Sequence, residues 1–249
     1  MKFFSLCFSL ILFSCSPYYQ VSSLNSSYFD LKDSLVKNDS AFTAEISPYK
    51  NHMDKTMNEV LNFSEVAMTK DNPEGLLGNF VADLILKKSN DYYHPEDGKK
   101  INLCILNNGG LRTSLPKGEI TRGKVFELMP FENELSVVTI SGKSFKMLFE
   151  YLAKTGGAPV SGIKMGIENE QPVLMEVNGK LFDSTSTFKV VTSDYLANGG
   201  DKYSFFSNPL NREDLKIKVR DAIIEFIVEE KEKGKSINST FDGRIYYVH

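Results

Sequence analysis

The sequence predicts an α+β fold in which mixed β-sheets are flanked by helices. Apolar stretches typical of buried strands and amphipathic stretches typical of helices follow one another without the strict alternation of a parallel α/β fold. The chain has 249 residues, of which 41% are apolar and 24% charged, an ordinary composition for a soluble globular protein. Its net charge of −3 argues against broad binding of nucleic-acid backbones, which requires a basic face.

The first residues are typical of an export signal. A positively charged start precedes an apolar run over residues 3–13, which is too short to cross a membrane as a helix. Ser14 and Cys15 then predict a lipoprotein signal peptide over residues 1–14 with a lipid on Cys15; an ordinary secretory signal with an incidental cysteine is the alternative. The lipid would anchor the protein to a bacterial membrane in the cell envelope, either periplasmic or surface-exposed.

The remaining chain divides into a short tether and one domain. Residues 15–40 are rich in Ser, Asn and Tyr without a clear period, which predicts a tether. Residues 41–249 are predicted to form the folded domain.

Helices are predicted where apolar residues recur at helical spacing. The first such segment contains Pro48, which we place near the helix start, where proline is tolerated. The strongest segments are the second and the fourth, because their apolar residues form a single stripe. The predicted helices are residues 41–60, 74–88, 121–126, 143–154 and 215–232.

Strands are predicted from short apolar or alternating stretches bounded by turn residues. Asn178-Gly179 is a strong hairpin signal, and residues 115–121, with Pro116 and Gly118, are predicted to be a turn. The predicted strands are residues 61–69, 101–106, 135–140, 158–165, 173–177, 188–192 and 241–248.

Two glycine-bearing segments follow predicted strands. Residues 107–112 (Asn-Asn-Gly-Gly-Leu-Arg) follow the strand 101–106, and residues 193–201 follow the strand 188–192. Flexible backbone and polar side chains at the carboxyl ends of strands are a common setting for ligand sites. The sequence therefore predicts that these two segments contribute to one site.

Four residues in and near these segments suit a phosphate, a sugar and a flat base. Arg112 offers a planar fork to phosphate oxygens, although a surface arginine after a tight turn is the alternative. Phe131 and Tyr195 could stack on both faces of a base, with core packing as the alternative. Asp201 could accept hydrogen bonds from ribose hydroxyls, or it could only stabilise its turn.

Several motifs in one order carry a resemblance to a known family. These are residues 107–112, 128–135 (Leu-Met-Pro-Phe-Glu-Asn-Glu-Leu), 141–145 and 191–206, together with the helix segment 74–83. Their order and spacing resemble the C-terminal domain of the 5′-nucleotidase family over roughly residues 41–246. In that family the domain binds the nucleotide, and two aromatic rings sandwich the base.

The resemblance implies a role for each of five residues. Phe131 and Tyr195 match the two rings, and Arg112 matches an arginine on the phosphate side. Asn107 and Asp201 match polar contacts to the nucleoside.

Three departures from the family pattern affect the expected site. Residues 69–73 lack the arginines that the family often carries there, and Lys70 is a weak substitute. Glu132 stands where its charge would oppose a phosphate, and Lys202 alters the turn after Asp201. A fold that has lost its ligand is therefore one possible outcome.

The resemblance also implies a catalytic half that this sequence does not show. Family members hydrolyse phosphate esters at two metal ions in a separate metallophosphatase domain, whereas the three histidines here (His52, His94 and His249) are dispersed. We therefore expect no cofactor in this chain and no phosphatase activity from it alone.

Two functional hypotheses follow. In the first, the chain is the substrate-binding half of a 5′-nucleotidase-type phosphoester hydrolase in nucleotide catabolism, and divalent metals reside in a partner metallophosphatase chain. In the second, it is a non-catalytic surface lipoprotein that binds nucleotides or nucleosides. Neither hypothesis involves nucleic acid.

Overall fold

A computed structural model describes residues 19–28, 30 and 39–248. The predicted signal peptide, Cys15 and part of the predicted tether lie outside these residues. The helices are α1 Ser40–Met57, α2 Leu76–Tyr92, α3 Arg122–Leu128, α4 Gly142–Thr155, α5 Asp194–Ala197 and α6 Val219–Glu232. The strands are β1 Val60–Ser64, β2 Leu103–Ile105, β3 Gly118–Thr121, β4 Glu134–Ser141, β5 Val160–Ser161, β6 Ile163–Glu168, β7 Gln171–Val177, β8 Lys180–Leu181, β9 Thr187–Ser193, β10 Asn211–Lys218 and β11 Ile245–Tyr247.

The chain divides into two units, Met1–Ser47 and Pro48–His249. In the described part of the first unit, the start of α1 is capped by Asp39. Its Oδ1 accepts hydrogen bonds from the amides of Ala41 and Phe42 at 2.9 and 3.1 Å, as a carboxylate at a helix start commonly does.

The helix predicted over residues 41–60 is shorter than expected and contributes nothing to the core. It ends at Met57, and Val60 already belongs to β1. Pro48 lies well inside the helix, so its predicted place near the helix start was wrong. None of the helix residues is buried.

A mixed five-stranded sheet forms the centre of the second unit. Its strand order is β10-β4-β9-β2-β5, in which β2 and β9 are parallel and the other neighbours antiparallel. Both faces are buried, because Val190 and Val191 of β9 belong to opposite core clusters. Helices α2 and α6 cover one face and α4 covers the other. The predicted α+β fold is confirmed.

Helix α4 shows how local sequence determines one of these elements. Ser141 caps its start by accepting a hydrogen bond from the Ser144 amide, and Gly156 ends it in the left-handed conformation, with φ of 77°. The apolar stripe at helical spacing, including Phe145 and Phe149, is fully buried. This helix was correctly predicted.

A second sheet and a two-stranded ribbon complete the unit. The second sheet has the order β11-β6-β7-β8, and β1 pairs with β3. Gly162, with φ of 84°, divides the predicted strand 158–165 into β5 and β6, which belong to different sheets. The hairpin predicted at Asn178-Gly179 is confirmed between β7 and β8, with both residues at positive φ.

Several predicted boundaries were wrong: the helix predicted over 74–88 continues to Tyr92, and the strand predicted over 241–248 is limited to Ile245–Tyr247. In three further cases, pairing between strands explains the difference. The predicted turn 115–121 contains β3, which pairs with β1. The predicted strand 61–69 ends at Ser64, where that pairing ends. The predicted helix 215–232 begins only at Val219, because the preceding residues continue β10 along the edge of β4.

Candidate functional site

Four chain segments meet at one edge of the five-stranded sheet. Because β2 and β9 are parallel, the residues that follow them, 106–112 and 194–201, leave the sheet at the same edge. Strand β4 runs antiparallel to β9, with Leu135 opposite Ser193, so the turn that precedes β4 lies there too. Strand β10 ends opposite the start of β4, which brings Val219 to this edge.

These segments enclose a cavity of about 440 Å³. All five residues predicted as binding residues line it: Asn107, Arg112, Phe131, Tyr195 and Asp201. The structure thus brings together residues that lie up to 94 positions apart in the chain. The volume of the cavity is within the range of small-molecule sites.

The two aromatic residues are surface groups of the cavity and not core residues. Phe131 is 41% exposed and Tyr195 is 45% exposed. Phe131 lies in the turn between α3 and β4, whereas Tyr195 lies in α5, whose first turn is capped by Ser193. The neighbouring Leu196 is fully buried and fixes α5 to the core.

Asp201 is held in place by three side chains. Its carboxylate accepts hydrogen bonds from the Tyr195 hydroxyl at 2.8 Å and from the Asn107 amide. Its carbonyl oxygen accepts one from the Tyr151 hydroxyl at 2.8 Å. Asp201 has a φ of 49°, an uncommon conformation for a non-glycine residue, and these bonds stabilise it.

The same contact further stabilises the protonated form of the Tyr195 hydroxyl. The hydrogen bond to the Asp201 carboxylate raises the pKa of the Tyr195 hydroxyl, so the hydroxyl remains a donor at neutral pH. The Asp201 amide donates back to the same hydroxyl oxygen at 3.2 Å. The ring, the Asp201 carboxylate and the Asp201 backbone therefore form one connected group.

Arg112 provides a cationic group at the cavity. Its guanidinium donates to the Gly109 carbonyl at 3.2 Å and lies 5.9 Å from the centroid of the Phe131 ring. It is exposed and forms no ion pair with a carboxylate of the described residues, which leaves its remaining N–H groups available for an anion. Lys70 lies nearby, because its ammonium group donates to the Leu111 carbonyl at 2.9 Å.

The negative charge of Glu132, which the sequence placed where it would oppose a phosphate, is paired with two cationic side chains. Its carboxylate forms ion pairs with Lys218 and Arg220. These contacts lower the pKa of Glu132 to about 2, and the hydrogen bond with Lys218 makes the largest contribution. The carboxylate is therefore ionised and paired at neutral pH. Glu132 does not line the cavity.

Sequence reasoning missed several residues of the cavity. Asn133 and Ser193 add polar groups, and the Asn133 amide donates to Asp194 at 2.9 Å. Their positions beside Phe131 and Tyr195 were a usable signal. The apolar floor of the cavity could not be predicted from local sequence, because it combines residues from separate segments: Leu106, Leu111, Met129 and Val219.

Within the described residues, no group of three or more His, Cys, Asp or Glu side chains is arranged to hold a metal ion. Over the same residues, no helix is long and apolar enough to cross a membrane.

The sheet, its flanking helices and the cavity at the strand ends define an α+β domain with a candidate ligand site. The family model for the 5′-nucleotidase C-terminal domain matches residues 46–208, and the chain belongs to this family. The resemblance and the fold expected from sequence are thereby confirmed.

Individual relatives agree with this assignment. The chain is 30% identical over 225 residues to the trifunctional nucleotide phosphoesterase protein YfkN of Bacillus subtilis, covering 82% of this chain and 15% of that protein. It is 27% identical over 196 residues to the cell wall protein Lmo0130 of Listeria monocytogenes, covering 71% of this chain and 24% of that protein.

A solved structure supports the fold. The crystal structure of a 5′-nucleotidase precursor from Thermus thermophilus is similar, with a TM-score of 0.70 and 25% identity, over 85% of this chain and 44% of that chain. This chain therefore spans less than half the length of each of these relatives.

Proposed function

We propose that this chain is the substrate-binding half of a 5′-nucleotidase-type phosphoester hydrolase and that it binds a nucleotide in the cavity at the sheet edge. The observation that carries the proposal is the meeting of two exposed aromatic rings, a carboxylate and a guanidinium without an ion-pair partner among the described residues around one cavity. Membership of the 5′-nucleotidase C-terminal domain family supports a nucleotide as the ligand.

Each group suits one part of a nucleotide. Phe131 and Tyr195 are exposed aromatic residues that line the cavity, and a base can stack on rings of this kind. The Asp201 carboxylate can accept hydrogen bonds from ribose hydroxyls, and Asn107 orients it. Arg112 can form charged hydrogen bonds with the phosphate.

We assign the hydrolysis to a separate metallophosphatase chain. Divalent metal ions held there would activate water and stabilise the negative charge that develops on the phosphoryl group. The residues of this chain would bind and orient the nucleotide, and they would keep its phosphate directed towards the partner's metal site. The relatives of greater length with names that denote phosphoesterase or nucleotidase activity support this division.

Calorimetric titration of the isolated chain with AMP tests the binding step. We expect measurable binding that is about a hundredfold weaker in Tyr195→Ala and unchanged in Tyr49→Ala, a matched control because Tyr49 is an exposed tyrosine of α1. Equal binding by both variants, or none by the wild type, would contradict the proposed site.

A mixing assay tests the catalytic step. Phosphate release from AMP should rise when this chain is added to a stand-alone metallophosphatase chain from the same organism, and the rise should be smaller with Arg112→Met. If AMP binds but mixing never increases turnover, the second candidate is favoured.

That second candidate is a non-catalytic lipoprotein that binds nucleotides or nucleosides. Two observations favour it: aromatic, carboxylate and guanidinium groups line one cavity, and no side-chain cluster among the described residues could hold a metal ion.

We also propose that the protein acts outside the cytoplasm, anchored by a lipid on Cys15. The export signal in the sequence and the similarity to a cell wall protein support this location. Metabolic labelling with a fatty acid should mark the wild type and not Cys15→Ser; labelling of both would contradict the anchor.

A further inference from the structure

Arg220 joins helix α6 to the turn that carries Phe131. It lies in the first turn of α6 and is only 5% exposed. One terminal nitrogen of its guanidinium donates to the carbonyls of Met129 at 3.3 Å and of Phe131 at 3.4 Å. The other terminal nitrogen forms an ion pair with Glu132. One side chain thus contacts three of four consecutive residues of the turn.

The guanidinium is itself fixed from the opposite side. Its Cζ lies 4.2 Å from the centroid of the Phe126 ring in α3, a cation–π contact. Its Nε is buried without a hydrogen-bond partner in the described part of the chain. Burying an unpaired donor costs free energy, so the local structure keeps this arginine despite one unfavourable group.

The turn depends on this side chain for its geometry. Among the described residues, the Phe131 carbonyl accepts its hydrogen bond from Arg220, 89 positions away in the chain. On either side, the Met129 amide bonds to the end of α3 and the Asn133 carbonyl accepts from the Val219 amide. Phe131 itself therefore lies between two anchored residues and is tied down by the guanidinium.

We infer that Arg220 is a positioning residue that sets the Phe131 ring at the cavity, with Glu132 as its ionic partner on the turn. The nucleoside-binding consequence rests on the function proposed above. A lysine cannot replace it, because one ammonium group does not have the planar fork that contacts two carbonyls and a carboxylate at once.

The chain contains no tryptophan, so Phe131→Trp creates a single indole reporter at the turn. In this background and without any ligand, quenching of the indole by acrylamide measures how accessible the indole is to solvent, which increases when the turn is no longer held in place. Arg220→Met should increase quenching, Arg220→Lys should restore little of the protection, and Glu132→Gln should give a smaller increase. The control is Arg122→Met, since Arg122 pairs with Glu59 and does not line the cavity.

With Phe131 intact, the same substitutions are measured by titration with AMP and with inorganic phosphate. Arg220→Met and Arg220→Lys should each weaken AMP binding about tenfold and leave phosphate binding unchanged, because only the stacking group is displaced. Arg122→Met should change neither. Glu132 is exposed, so Glu132→Gln preserves the test if Arg220→Met does not fold.

The outcomes separate the two proposals. Quenching that is the same in the parent and in all three variants overturns the positioning role, whether or not AMP binds. Increased quenching in the Arg220 variants supports that role. If quenching increases but neither the wild type nor any variant binds AMP, the proposed function is wrong and the positioning role of Arg220 still stands. Full recovery of AMP affinity in Arg220→Lys also overturns the inference, because charge without the fork would then suffice.

Discussion

Phe131 is held at the cavity by charged groups, whereas Tyr195 is held by hydrogen bonds within its own segment and by contact with a glycine. The turn of Phe131 depends on Arg220 and Glu132, which belong to different elements. Tyr195 bonds to Asp201, six positions away, and its ring packs against Gly200. The wall of the cavity that contains Phe131 is therefore fixed by long-range ion pairing, whereas the wall that contains Tyr195 is fixed by local packing.

This difference determines which conditions should affect each wall. Ion pairs at a partly exposed turn are screened by salt and respond to the protonation of a carboxylate. Hydrogen bonds and close packing within a short segment respond instead to changes in side-chain shape. Substitutions that alter one wall at a time should therefore have distinct effects, which decrease from the wall of Tyr195 to the wall of Phe131.

The largest effect is expected from Gly200→Ala. A Cβ built on Gly200 would lie 2.5 Å from two atoms of the Tyr195 ring, so the ring must move. Affinity for AMP should fall about a hundredfold in a calorimetric titration.

A double-mutant cycle with Tyr195→Ala provides the control for that prediction. Once the ring has been removed, Gly200→Ala has little left to displace, and its additional effect should nearly vanish. Additive losses in the cycle would show that Gly200 acts through something other than the ring.

Tyr195→Phe should have an intermediate effect that is specific to the sugar. The ring remains for stacking, but the Asp201 carboxylate loses a 2.8 Å hydrogen bond and is oriented by Asn107 alone. Affinity for adenosine should fall about fivefold, and affinity for the free base adenine should not change. Equal losses for both ligands would place the effect on stacking and not on Asp201.

The smallest effect is expected from Glu132→Gln, and it should depend on pH. The pKa of Glu132 is lowered from 4.5 to about 2, so its ion pairs contribute stability above pH 4.5 and lose it as the pH falls towards 2. The wild type should therefore unfold at a higher temperature than the variant near neutral pH, and the difference should shrink through this range. A difference that is constant over the range would contradict the ionic role of Glu132.

The parts of the molecule that sequence predicted correctly are those that local pattern or motif determines. Helix α4 follows from its apolar period and its two caps, and the cavity-lining positions of Arg112 and Tyr195 follow from glycine-bearing segments after strands. Strands β3 and β10 were missed because their stability comes from partners that local sequence does not reveal.

The support of Phe131 was missed for the same reason. Arg220 has the sequence context of an ordinary helix residue, and its importance appears only when α6 is placed against the turn before β4. Glu132 looked unfavourable from sequence, because its two cationic partners, Lys218 and Arg220, lie 86 and 88 positions further along the chain.

Apart from Ser193 at the end of β9, the residues that line the cavity lie before or after strands and not within them. Within residues 107–112 and 194–202, Leu111 and Leu196 belong to the two core clusters, whereas Arg112, Tyr195 and Asp201 are exposed at the cavity. Exchanging only the exposed residues of these segments, and of the turn of Phe131, should change the surface of the cavity and leave the core contacts in place. For protein engineering, we propose these exposed positions as the ones at which ligand selectivity can be varied with little effect on stability.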